Sequence, residues 1–194
     1  MKPKIWVDCD GVMANFVEGF LQRLNVLRVL GGGKPAHAKH VTDWRLAKCI
    51  CSAEEEAKVW RHVDTSPGWV RSLPIIEGTG AGLLRLRDLG FVGCITSPPP
   101  PPFGRLWDFE RRAWLHAQGF HATEIVQLAD KTHVPGEILI DDRLENCERW
   151  QEAHPSGLAI CFDAPYNQSD SEDIVRAVGW GQVVRLCEAW LEAL

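Results

Sequence analysis

The sequence predicts an α/β fold: a parallel sheet flanked by helices, with a small helical cap inserted after the first strand. Three observations predict it. Apolar runs near residues 5–7, 91–95, 124–128, 137–140 and 157–162 have the length and composition of buried strands. Helical spacing separates the later runs, and such alternation implies parallel strands joined by right-handed crossovers. Residues 15–76 lack strand alternation and carry helix signals instead. The expected division is a core of residues 1–14 and 77–194 and a cap of residues 15–76.

Ile5-Trp6-Val7 opens the chain as a buried strand, and Asp8-Cys9-Asp10-Gly11 follows at its exit, where glycine lets the chain turn. Asn15 to Leu30 reads as a helix, with Phe16, Phe20, Leu24 and Leu27 at helical spacing and Gly31-Gly32-Gly33 as its stop. Lys34 to Val41 is a polar loop. Thr42 to Ser72 divides into short helices: Ser52 and Glu55 form a capping-box pair, and Ser66-Pro67 suits a further helix start. Glu77 to Leu89 is an amphipathic helix closed by Gly90.

Phe91 to Ile95 is the second strand and ends in Thr96-Ser97. Pro98 to Pro102 reads as a stiff extended spacer. Arg105 to Gln118 is a helix with Leu106, Phe109 and Ala113 on one face. The third strand, Glu124 to Leu128, leads into Ala129-Asp130-Lys131-Thr132. The fourth, Glu137 to Ile140, leads into Asp141-Asp142 and a helix from Leu144 to Ala153. Gly157 to Phe162 is the fifth. A final helix runs from about Gly181 with Val183, Cys187, Trp190, Leu191 and Leu194 as its buried stripe.

At 194 residues the chain suits one core domain with a small insertion. Its 45% hydrophobic and 24% charged residues are those of a soluble globular protein. A net charge of −5 disfavours nucleic acid as a partner, yet allows a small anionic substrate where local charge permits. No targeting segment and no membrane-spanning apolar run is expected. Seven cysteines, an odd and scattered set, point to a reducing cytoplasm. A homodimer is left open.

Polar groups follow four of the strands: Asp8 and Asp10, Thr96 and Ser97, Lys131, and Asp141 with Asp142. In a parallel sheet those ends share one edge, where ligands gather. Close carboxylates repel unless neutralised, and Mg²⁺ prefers such oxygens. One aspartate can attack phosphorus while another protonates the leaving oxygen and later deprotonates water. A hydroxyl with neighbouring backbone N–H groups can hold a phosphoryl oxygen, and a lysine offsets negative charge. Phosphate-ester hydrolysis needs little more, because it relies on position and electrostatics.

Asp8-Cys9-Asp10-Gly11-Val12 resembles the first motif of the haloacid dehalogenase (HAD) superfamily of phosphatases, and the string through Ala14-Asn15-Phe16 is similar to its 5'(3')-deoxyribonucleotidase branch. Thr96 in Ile95-Thr96-Ser97-Pro98, Lys131 in Asp130-Lys131-Thr132, and Asp142 in Leu139-Ile140-Asp141-Asp142-Arg143 resemble the second, third and fourth motifs. The resemblance implies a Rossmannoid sheet of order 5-4-1-2-3 in chain numbering. It implies Asp8 as nucleophile and metal ligand, and Asp10 as general acid and base with its backbone carbonyl on Mg²⁺. Asp142 would be a direct metal ligand supported by Asp141, with Thr96, Ser97 and Lys131 binding phosphate. Hydrolytic dehalogenases of the superfamily lack the second aspartate, so Asp10 favours phosphate chemistry. Phe16 matches the first of the aromatic residues that enclose the base in the deoxyribonucleotidases; Thr42-Asp43-Trp44-Arg45-Leu46 is similar to the family's cap segment, which makes Trp44 the second candidate, beside a packing role in the cap.

The expected activity is Mg²⁺-dependent hydrolysis of a nucleoside monophosphate. The alternatives are a phosphatase for another small phosphate, a nucleic-acid 3'-phosphatase, or a non-catalytic binding protein of the same fold. His37, His40, Cys49 and Cys51 are zinc-ligand types and make a rival metal site to weigh against the plainer reading, a polar loop and two half-buried thiols.

Overall fold

In a computed structural model, residues 2–99, 102–169 and 171–194 are described. Strands β1 (Lys4–Val7), β2 (Phe91–Thr96), β3 (Ile125–Gln127), β4 (Ile138–Asp141), β5 (Leu158–Phe162) and β6 (Val175–Ala177) form one parallel sheet in the order β3-β2-β1-β4-β5-β6. The expected order of five strands is present, and β6 extends it at one edge. β6 escaped the sequence because Arg176 interrupts its short apolar run, Ile174-Val175-Arg176-Ala177-Val178. It is held instead by pairing to β5 and by Arg176, whose guanidinium donates to Asn167 Oδ1 and to the Asn167 carbonyl, each at 2.6 Å.

Both faces of the sheet are buried, which explains continuous apolar runs in place of alternation. Ile5, Val7, Ile138, Ile140 and Ile160 face one core, which they share with helices α3 (Thr79–Leu89) and α6 (Trp180–Glu192). Trp6, Leu139, Ala159 and Cys161 face a second core beneath α5 (Leu144–Ala153).

Between β1 and α3 lie α1 (Phe16–Leu30) and α2 (Ala53–Thr65), with 3-10 turns at Ala38–His40, Leu46–Lys48 and Val70–Ser72. Asn15 caps α1 by accepting from the Glu18 amide at 3.1 Å. The capping box is present: the Glu55 amide donates to Ser52 Oγ at 3.2 Å and the Ser52 amide to Glu55 Oε2 at 2.8 Å. Ser66-Pro67, expected to start a helix, does not. Ser66 closes α2, its amide donating to the His62 carbonyl at 2.9 Å, and a turn follows.

α4 (Arg105–Ala117) also departs from expectation. Phe109 is 65% exposed, and the buried side carries Trp107, Glu110, Arg111, Trp114 and Leu115. Glu110 accepts from the Val70 amide at 3.1 Å, and also from the Gly68 amide and Arg71, so this buried carboxylate caps a turn before β2. In return Asp64 of α2 accepts from the Gly104 and Leu106 amides at the start of α4, each at 3.1 Å. Leu194, expected in the α6 stripe, lies past the helix end and is 81% exposed. Pro100 and Pro101 of the expected proline spacer lie outside the described residues. No helix among the described residues is long and apolar enough to cross a membrane.

Candidate active site

The site is built where β1, β2 and β4 end. Asp8 continues β1, its amide donating to the Ile140 carbonyl at 2.8 Å, so its side chain is fixed by the sheet. The next residues curl tightly: the Gly11 amide bonds the Ala14 carbonyl, and the Met13 and Ala14 amides bond the Cys9 carbonyl. Gly11 has φ +78°, and a Cβ there would lie 2.1 Å from Asp142 Oδ2. Only glycine serves this turn, on both conformational and steric grounds.

Lys131 begins a 3-10 turn after β3 and is 3% exposed. Its Nζ lies 2.8 Å from Asp8 Oδ1 and 2.6 Å from Asp141 Oδ2. Asp141 also accepts the Arg143 amide at 2.9 Å and Asn146 Nδ2 at 3.1 Å, so its carboxylate ties Lys131 to the start of α5. Asp142 accepts from the Tyr166 hydroxyl, while Asn167 Nδ2 donates to the Asp142 carbonyl at 2.6 Å. Asp10 pairs with the buried Arg111 of α4 at 2.5 Å.

Asp8, Asp141 and Asp142 each present a ligand atom within 4.8 Å of the others. Three carboxylates beside one ammonium leave an excess of negative charge when all are ionised. Burial pushes the Asp8 carboxyl up to about 7, with Lys131 opposing and Asp141 adding to the rise. Burial and Asp141 likewise push Asp142 well above the usual carboxylate range. Burial alone would lower Lys131, but Asp141 and Asp8 hold it above its ordinary value. A cluster this short of positive charge, with oxygen donors only, fits a hard divalent cation such as Mg²⁺.

A cavity of about 800 Å³ opens above these groups. Asp8, Asp10, Thr96, Ser97 and Asp142 line its floor, while Phe16 and Trp44 line its wall. Lys131 and Asp141 do not line it; Lys131 is joined to the lining through Asp8 and holds Asp141 on its other side. Phe16 stacks on Trp60 with ring centroids 5.5 Å apart, and Trp60 stacks on Phe103 at 6.4 Å. Trp44 is 40% exposed and carries the Arg143 guanidinium 3.7 Å from its ring centre. Arg45, Lys48 and Glu56 also line this wall.

The His37, His40, Cys49 and Cys51 set does not converge. Among the described residues the three aspartates are the one group of three or more such side chains close enough to hold a metal. All seven cysteines are free thiols. A polar loop and two half-buried thiols account for the spacing that suggested zinc.

Tyr166, Arg111, Trp60, Phe103, Arg143 and Asn146 were missed as site residues. Tyr166 follows β5, as the other polar groups follow their strands, and is the single tyrosine in the chain. Trp60 lies four residues after Glu56 on one side of α2, and Arg143 adjoins the fourth-motif pair; both spacings were available. Arg111 had no local signal, since it reaches Asp10 across 101 residues.

Residues 2–191 match the family described as "5' nucleotidase, deoxy (Pyrimidine), cytosolic type C protein". A Bordetella pertussis protein provisionally named a 5'(3')-deoxyribonucleotidase is 34% identical over 170 residues, 87% of each chain. The 5'(3')-deoxyribonucleotidase of Bacillus subtilis is 24% identical over 187 residues, 95% of this chain and 98% of that one. In fold, the chain is similar to a haloacid dehalogenase-like hydrolase from Burkholderia xenovorans, with a TM-score of 0.61 at 13% identity over 97% of both chains.

Proposed function

The chain belongs to the family of 5' nucleotidases, deoxy (pyrimidine), cytosolic type C, within the HAD phosphatases, and from that premise we propose that it hydrolyses nucleoside monophosphates, deoxyribonucleotides foremost. One observation carries the proposal: Asp8, Asp10, Thr96, Ser97 and Asp142 line the same cavity as the ring ladder of Phe16, Trp60 and Phe103. A phosphate at the floor leaves a base to stack against aromatic side chains. Residues 15–76 then serve as the cap that encloses it.

In the proposed reaction an Asp8 oxygen attacks phosphorus while Asp10 passes a proton to the leaving sugar oxygen, whose bond to phosphorus breaks. Asp10 next takes a proton from water, the water oxygen bonds phosphorus, and the bond to Asp8 breaks. Thr96 and Ser97 hold phosphoryl oxygens, and Lys131 keeps Asp8 oriented and offsets the charge. Asp8, Asp142 and the Asp10 backbone carbonyl would hold Mg²⁺, with Asp141 supporting. When bound, that ion neutralises charge on the nucleophile and on the phosphoryl oxygens.

Phosphate release from a panel of ribo- and deoxyribonucleoside monophosphates, sugar phosphates and an aryl phosphate tests the substrate. Preference for deoxyribonucleotides is expected. Turnover of the aryl phosphate alone would remove the nucleotide and leave the phosphatase.

The raised Asp8 carboxyl gives a pH dependence. The folded, metal-free protein retains a proton up to about 7, which the unfolded chain loses near 3.8. This group's contribution to stability is therefore fully present below the lower value and is lost as pH rises through the higher one. Mg²⁺ must displace that proton, so its affinity is expected to tighten with rising pH through about 7, with proton release. Calorimetric titration in two buffers of different ionisation enthalpy measures this. Affinity and heat that do not change with pH or buffer would contradict it.

A further inference from the structure

We propose that Arg111 is the positioning residue of Asp10: it holds one carboxylate oxygen and leaves the other facing the leaving group. This rests on Asp10 as general acid and base. Arg111 is fully buried, whereas the Asp10 side chain is 30% exposed. Nη2 donates to Asp10 Oδ1 at 2.5 Å, Nη1 donates to Cys9 Sγ at 2.8 Å, and the guanidinium lies 4.8 Å from the ring centre of Trp107.

Two features separate this from a plain structural anchor. The turn around Asp10 is closed by its own backbone hydrogen bonds, none of which involves Arg111. Moreover, among the described residues Arg111 Nε has no hydrogen-bond partner, so the guanidinium is buried without full satisfaction. Its place is set by what it aims.

A planar guanidinium fixes the direction of a carboxylate more firmly than a flexible ammonium does. Among the described residues Asp10 Oδ1 takes Arg111, and no hydrogen bond occupies Oδ2. Arg111 does not line the cavity, so it acts on substrate only through Asp10. It keeps its own proton throughout; the proton that moves passes between Asp10 and the ester oxygen, then between water and Asp10.

The dependence on leaving group distinguishes this role. A sugar alkoxide needs a proton as it departs, and para-nitrophenolate does not. kcat/KM reports the steps up to release of the leaving group, before water enters. Arg111→Gln is expected to lower kcat/KM by about 100-fold on a deoxyribonucleoside monophosphate but only about 3-fold on para-nitrophenyl phosphate. Arg111→Lys should recover part of the nucleotide loss, and carries the same comparison if Arg111→Gln fails to fold. Asp10→Asn is the reference. Adding Arg111→Gln to Asp10→Asn should cost nothing further on the nucleotide, because both act through one group.

Equal losses on the two substrates for the Arg111 variants, with Asp10→Asn still selective, would overturn the inference. A non-selective Asp10→Asn would overturn the acid–base assignment beneath it.

Discussion

Asp8→Asn is expected to lower phosphate release by about four orders of magnitude or more, with the fold intact. An amide cannot supply the anionic oxygen that attacks phosphorus. The fold survives because the native site already disfavours the charge: burial pushes this carboxyl up to about 7, and Asp141 and Asp10 push in the same direction. A neutral side chain of the same shape relieves that repulsion. Lys131 keeps its bond to Asp141 at 2.6 Å. The melting temperature of the metal-free variant should therefore equal or exceed that of the parent near neutral pH. Thermal melts and phosphate release measure both halves. Retained turnover would remove Asp8 as nucleophile, and a collapsed melt would show a structural need for its charge.

Lys131→Met is expected to damage stability and turnover together. Lys131 is 3% exposed and its ammonium bridges Asp8 and Asp141, so its removal leaves two buried carboxylates without their cation. Breaking a buried pair from one side costs about 3–5 kcal/mol. Loss of its charge from the transferring group should lower kcat by about 10²–10³-fold. Methionine preserves most of the apolar stem, so the deficit is one of charge. The sign of the pH dependence checks this. With Lys131 gone the Asp8 carboxyl loses the cation that favours its charged form and holds its proton more tightly than in the parent, so acidification should narrow the stability gap between variant and parent. Denaturant melts at neutral and acid pH measure the gap; a constant gap would assign the damage to packing.

The residues at the sheet's edge were legible because each signal is local, whereas the strand order came from the family resemblance. Asp8, Thr96, Lys131 and Asp142 each follow a short apolar strand, and a parallel sheet brings such ends together whatever lies between them. What could not be read depends on long-range contacts. The buried side of α4 was misjudged because hydrophobic periodicity sends charge outward, whereas Glu110 and Arg111 are buried by bonds to Val70 and Asp10. The aromatic wall was half visible. Phe16 came from the first-motif string, but Trp60 and Phe103 join it only when α2 and the segment before α4 meet above the sheet. Trp44 gains its place from Arg143, and the strand ends alone do not foretell that contact.

Acid quenching during turnover of a nucleoside monophosphate labelled at phosphorus, followed by peptide mapping, tests the central claim most directly. The account predicts acid-stable label on the peptide that contains Asp8, lost on brief alkaline treatment and absent from Asp8→Asn. Rapid phosphate release with no label on that peptide, under conditions that trap acyl phosphates, would contradict it.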